Sequence, residues 1–212
     1  MSSLQAIIFD LEGTIIDTET IWDEAAVEFL KRHDRVYDRA RTKHLLMGGS
    51  IAAGAKLMQD QYQFEGDPQA LATQRRDIFE ELLKRNIRFI DGFKTFFAQV
   101  KPSYKLAIAT SMERRFLADV DEQLGLVSMF DHHVYSIEDI GFIPKPQPNI
   151  FLHAARHLGV DPSCCLVIED APKGIQAANA AGMRSVGITT SVPRNLLVEA
   201  DQIVDKFSEI SL

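Results

Sequence analysis

The chain has 212 residues, 46% of them hydrophobic and 25% charged, with a formal net charge of −7 and an isoelectric point near 5.4. That balance supplies no basic footprint for nucleic acid or an anionic membrane surface, and no apolar run approaches the roughly 18 residues of a membrane span. Met1-Ser2-Ser3 leads directly toward an apolar run, so no signal segment is expected, the cytoplasm is the expected location, and no obligate protein partner is indicated.

The first element is AIIF, Ala6 to Phe9, an unalternating apolar run of the kind found in strands covered on both faces of a parallel sheet. It stops at Asp10, and Glu12 follows two residues later in the loop Leu11-Glu12-Gly13-Thr14. The spacing of Ile21, Trp22, Ala25, Ala26, Phe29 and Leu30 then predicts a helix that Thr18 or Thr20 can cap. Further helices are expected over Asp38–Leu46, from a cap at Ser50 through Gln61, and over Pro68–Arg85. Residues 17–88 therefore read as a helical insert, flanked by a core of residues 1–16 and 89–212. Trp22 and Phe29 lie on the apolar face of the first helix and read as core of the insert.

Beyond Asp91-Gly92 the pattern alternates. A helix over Phe93–Lys101 precedes the run KLAIA, which closes on Thr110-Ser111; a helix over Arg114–Leu124 ends at Gly125. Val134-Tyr135 reads as a short strand, with His132 and His133 beside it as structural or solvated residues. Pro148–Leu158 reads as a helix, Cys164–Ile168 as a strand closing on Glu169-Asp170, Ala171–Ala181 as a helix, and Ser185–Ile188 as a strand. Adjacent Cys164 and Cys165 suit neither an ordinary disulfide nor a zinc site and read as the start of the buried strand. Alternation of strand and helix predicts an α/β fold with a doubly wound, mainly parallel sheet.

Ligands of such sheets bind outside the carboxyl ends of the strands, where this sequence repeatedly places chemistry. Asp10 and Glu12, Thr110 and Ser111, and Glu169 and Asp170 each follow an apolar strand, while Lys145 is held in the proline-stiffened loop IPKPQPN. Hydrolysis of a phosphate ester through a carboxylate needs a nucleophile, a proton donor, positive charge around the phosphoryl group and a dry pocket. A cluster of carboxylates beside such a group suits Mg²⁺, which borrows substrate oxygens and retains water.

These four motifs together resemble the haloacid dehalogenase superfamily over the whole chain. The resemblance implies that Asp10 is a nucleophile forming an aspartyl phosphate. It implies that Asp10, the backbone carbonyl of Glu12, Glu169 and Asp170 hold Mg²⁺, and that Glu12 is the general acid and base. Thr110, Ser111, Lys145 and Gly13 would bind the phosphoryl group. Residues 17–88 would be a helical cap, with Gly48 and Gly49, in LLMGGS, contacting substrate. Three departures from the family pattern stand out: Glu12 replaces the commoner aspartate, Pro144 precedes Lys145 where the family usually has glycine, and Asn149, where the family has aspartate, is expected to keep a helix-capping role. LLMGGS and EDAPKGIQAANAAGM are similar to the corresponding runs of phosphatases acting on pseudouridine monophosphate and polyol phosphates.

The expected activity is Mg²⁺-dependent hydrolysis of a small phosphorylated metabolite, a sugar, polyol or nucleoside monophosphate. A β-phosphoglucomutase-like activity shares the core motifs but is expected to have a cap arginine beside Gly48-Gly49, where none occurs. A non-catalytic binding protein on the same scaffold is suggested only by Glu12.

Overall fold

The computed structural model describes residues 3–46 and 51–212. Two compact units emerge, one built from the residues up to Asp17 together with Arg88–Leu212, the other from Thr18–Ile87. In chain order the elements are β1 (Ala6–Phe9), α1 (Glu19–Lys31), α2 (Arg39–Leu46), α3 (Ile51–Tyr62), α4 (Pro68–Asn86), α5 (Phe93–Val100), β2 (Lys105–Ala109), α6 (Arg114–Leu124), α7 (Leu126–Met129), β3 (Val134–Tyr135), α8 (Asn149–Leu158), β4 (Cys165–Glu169), α9 (Pro172–Ala180), β5 (Arg184–Ile188) and β6 (Gln202–Val204). Among the described residues, no helix is long and apolar enough to cross a membrane.

The first unit is a six-stranded sheet in the order β3-β2-β1-β4-β5-β6, with every pair parallel. Side chains alternate across β1, so its two faces meet different packing. Phe9 meets Phe93, Phe96 and Phe130 edge-on at 5.8, 6.2 and 5.8 Å, in an aromatic layer that Phe207 completes against Phe93. Ala6 and Ile8 belong instead to a small-residue layer with Ala107, Ala109, Ala154, Ala155, Ala177 and Ala178, whose short side chains allow α8 and α9 to lie close to the sheet. The strand β6 and the one-turn helix α7 carry no signal in the sequence reading, because runs of three and four residues are too short to show a period. Cys164 and Cys165 are both buried and free, and the strand starts one residue later than expected because Cys164 ends a 3-10 turn.

Two expected caps are not made. Thr18 flanks α1 with its backbone already helical (φ −89°, ψ −15°), and its side chain bonds no helix amide; an N-cap oxygen reaches forward only from an extended backbone. At α8 the flanking residue is Pro148, near the helical φ at −75°, which makes Asn149 the first helical residue rather than its cap. The expected cap at Ser50 lies outside the described residues.

The second unit consists of α1 to α4. Ile21, Ala25, Ala26, Phe29 and Leu30 of α1, Ala55 and Met58 of α3, and Leu71, Ile78, Phe79 and Leu83 of α4 are buried. Trp22 stacks on Phe79 with ring centroids 3.7 Å apart. Asp67 caps α4 through the Ala70 amide at 2.9 Å, just before Pro68 at the first helical position.

Candidate active site

The strand order reverses direction between β1 and β4, and in open parallel sheets that switch point is where a crevice opens at the carboxyl ends. Asp10 follows β1, its amide bonded to the Ile168 carbonyl of β4 at 3.0 Å, so the parallel ladder fixes it level with the end of β4. Glu169 ends β4 and Asp170 follows it. Oxygens of all three carboxylates lie within 4.8 Å of one another. The three groups are almost withdrawn from solvent, at 6%, 1% and 5% exposure.

Three like charges at this distance need a counter-charge. Lys145 supplies the first: its Nζ lies 2.5 Å from Asp10 Oδ1 and 2.5 Å from Glu169 Oε1. Burial works against its charge, yet Asp10 and Glu169 hold the ammonium above the ordinary lysine range. Nζ also lies 4.9 Å from the Phe151 ring. Glu169 is further anchored through Oε2, which accepts from the amides of Asp170 and Ala171, both at 3.0 Å, at the start of α9. A carboxylate there is favoured by the free amides and by the helix dipole.

Asp170 is gripped by residues distant in sequence. Thr14 Oγ1 donates to its Oδ1 at 3.1 Å. A β-carbon placed on Gly13, whose φ is +74°, would lie 2.2 Å from Asp170 Oδ2 and equally close to Ser191 Oγ. Thr190 donates to the Gly13 carbonyl and so secures this loop against the end of β5. Burial, then the neighbouring Glu169, push the Asp170 carboxyl up to about 7. Burial also raises the Asp10 carboxyl, Lys145 opposing and the two acids reinforcing.

One ammonium against three carboxylates leaves two formal negative charges in a dry site, and the donor set is all oxygen. A small hard divalent cation fits that chemistry, and the buried Ser191 Oγ beside Asp170 is a further oxygen at the rim of the cluster.

The other expected residues are placed as follows. Thr110 follows β2, is 1% exposed, and accepts from the Met112 amide at 3.0 Å, which leaves its hydroxyl proton available to donate. Ser111 is exposed, and α6 starts only at Arg114, so the two residues form a turn before the helix rather than its first turn. Glu12 is half-buried in the loop after β1, where it forms an isolated bridge with Ile16. Gly48 and Gly49 lie outside the described residues.

Thr14, Ser191 and Gly174 were not anticipated. A β-carbon on Gly174 would lie 1.8 Å from Glu169 Oε1, so glycine inside α9 makes room for that carboxylate. Its signal was present: glycine inside a helix is unfavourable, and its occurrence in KGIQAANA marks a close approach.

The family model of the haloacid dehalogenase-like hydrolases matches residues 4–182. A Drosophila melanogaster protein named "Probable pseudouridine-5'-phosphatase" is 32% identical over 185 residues, covering 84% of this chain and 79% of the relative. Fructose-1-phosphate phosphatase YqaB of Escherichia coli K12 is 33% identical over 185 residues, covering 86% and 95%. Among solved structures, a conserved haloacid dehalogenase-like protein of unknown function from Agrobacterium tumefaciens C58 superposes with a TM-score of 0.84 at 25% identity, covering 97% of this chain and 95% of the other.

Proposed function

The chain belongs to the haloacid dehalogenase-like hydrolase family, and from that premise we propose that it is a Mg²⁺-dependent phosphomonoesterase of small phosphorylated metabolites, with Asp10 as its nucleophile. The observation that carries the reading is Lys145, held 2.5 Å from both Asp10 and Glu169 beside Asp170 at the switch point of the sheet. An ammonium fixed there opposes the upward pull of burial on the Asp10 carboxyl and places positive charge where a phosphoryl group meets the nucleophile.

In the proposed reaction a carboxylate oxygen of Asp10 attacks phosphorus, an acyl-phosphate bond forms, and the ester P–O bond breaks. Glu12 gives its proton to the departing alkoxide. It then takes a proton from the water that cleaves the acyl phosphate, releasing inorganic phosphate and restoring Asp10. The Thr110 hydroxyl and the Ser111 amide hold phosphoryl oxygens during both steps. Asp10, Asp170 and the Glu12 carbonyl would hold the cation directly, and Glu169, whose oxygens engage Lys145 and two amides, retains lone pairs toward it. When bound, Mg²⁺ supplies charge neutralisation for the phosphoryl oxygens. The Thr18–Ile87 unit acts as a cap that selects the substrate, in this reading.

The test is phosphate release from para-nitrophenyl phosphate and from fructose 1-phosphate, with Mg²⁺ and with EDTA. Wild type should turn over only with metal, and Asp10→Asn should be inactive while retaining its circular dichroism spectrum. Full activity of Asp10→Asn would sink the mechanism. Interconversion of hexose phosphates without phosphate release would move the assignment to a mutase.

A further inference from the structure

The β3 edge of the sheet carries a group of imidazoles that the proposed reaction does not use. β3 is the last strand on its side of the sheet, and α8 packs beside it. Tyr135 comes from β3, while α8 contributes His153 and His157, four residues apart and so on one face of the helix. The two imidazole rings have centroids 4.1 Å apart. The buried Tyr135 ring stands against both, 5.0 Å from His153 and 5.1 Å from His157, and so limits how far either can turn. Tyr135 is itself held at its outer end, where Oη lies 2.8 Å from His133 Nδ1.

The ring nitrogens are placed to meet a cation. His157 Nδ1 lies 2.9 Å from the His153 carbonyl. A carbonyl oxygen only accepts, so Nδ1 carries the hydrogen and Nε2 of the neutral ring keeps its lone pair. Histidines that bind metals are oriented in this way, one nitrogen donating to a carbonyl or carboxylate and the other facing the ion. His157 is exposed in the last turn of α8, where the helix dipole favours positive charge. His153 is half-buried, and burial followed by the neighbouring His157 lowers its imidazole below the usual value, so the ring is neutral at pH 7 with a lone pair to offer.

We propose that His153 and His157 form a chelating site for a borderline transition-metal ion, Zn²⁺, Ni²⁺ or Cu²⁺, bound through two imidazole nitrogens and completed by water. Imidazole suits these ions, whereas Mg²⁺ takes oxygen donors. The site therefore differs in kind from the all-oxygen cluster of Asp10, Glu169 and Asp170.

The probe is each metal ion alone, titrated by calorimetry into the full chain in excess Mg²⁺, which competes for the oxygen cluster. Wild type should bind one ion per chain, with affinity rising from Ni²⁺ to Cu²⁺. His153→Gln and His157→Gln should each weaken binding by at least about 10-fold, since even losing a partner that orients a ligand costs about 10–100-fold. His132→Asn, which removes the exposed neighbour of His133, should bind as wild type does. A second measurement needs no variant: the electron paramagnetic resonance spectrum of the Cu²⁺-loaded wild type should show hyperfine splitting from two imidazole nitrogens. Wild-type affinity in either glutamine variant overturns the proposal, as does a spectrum with one such nitrogen or none. An equal loss in His132→Asn makes the binding a diffuse property of surface histidines and also overturns it. So does a wild type that takes up none of the three ions in excess Mg²⁺.

Discussion

Gly13 and Gly174 mark where backbone yields space to the acids, since a β-carbon on either would stand inside a carboxylate. Gly174→Ala is therefore expected to push Glu169 away from Lys145 and from the amides that anchor it. A displacement near 1 Å at a reacting centre costs about 10²-fold, and overpacking a buried site about 1–3 kcal/mol. Both are measurable: kcat/KM on para-nitrophenyl phosphate should fall by that factor, and the urea midpoint should drop. Unchanged kinetics would mean that Glu169 does not need its present position. Glu12 is tested by removing its proton alone. Glu12→Gln should slow single-turnover phosphate release from an alkyl phosphate by about 10²–10⁴-fold, the usual range for general acid–base catalysis. Equal rates would take Glu12 out of the mechanism.

At the scale of elements, the aromatic layer beneath β1 carries much of the stability. Phe93 of α5 is fully buried and lies within ring contact of Phe9, Phe97, Phe130 and Phe207. Phe93→Ala should cost about 3–5 kcal/mol in urea unfolding, the usual penalty for emptying a large aromatic site. A loss below about 1 kcal/mol would mean that the neighbouring rings collapse into the space. This layer also shows what the sequence makes legible. β1, β2 and β4 are apolar runs buried on both faces, and each ends in a polar group, so the strands and Asp10, Thr110, Glu169 and Asp170 could be read together. Lys145 was readable because prolines hold it. The grip on Asp170 was not, because Thr14 and Ser191 approach from separate loops and only the folded sheet brings them near. The helix starts failed for a local reason: Thr18 and Pro148 adopt helical backbone angles where capping needs extended ones. The buried Arg75 was passed over although its register, four residues after Leu71 and three before Ile78, puts it on the apolar face of α4, because a charged residue type is ordinarily solvated.

For the whole molecule the same acids that serve the site oppose folding, and a cation should reverse the sign. With Asp170 held up to about 7 in the folded chain against an ordinary value near 3.8, the native state takes up this proton more readily than the unfolded state. Its contribution to stability is therefore present below about pH 4, declines as the pH rises toward 7, and is fully lost above that. In EDTA, Asp170→Asn should melt higher than wild type, with a larger gap at pH 8 than at pH 5. Mg²⁺ should invert the order. A ligand bound only by the native state adds about 2.7 kcal/mol at 100 times its dissociation constant, which for a chain of this size raises the melting temperature by about 5–10 °C. Wild type should gain that much and Asp170→Asn little, because the amide offers one neutral oxygen in place of a charged one. The measurement is a set of melting curves for both proteins at pH 5 and 8, with EDTA and with saturating Mg²⁺. If Asp170→Asn is the less stable protein in EDTA at pH 8, the carboxylate is held by its bonds to Thr14 and the loop more strongly than its charge is penalised. If both proteins gain equally from Mg²⁺, the cation sits elsewhere.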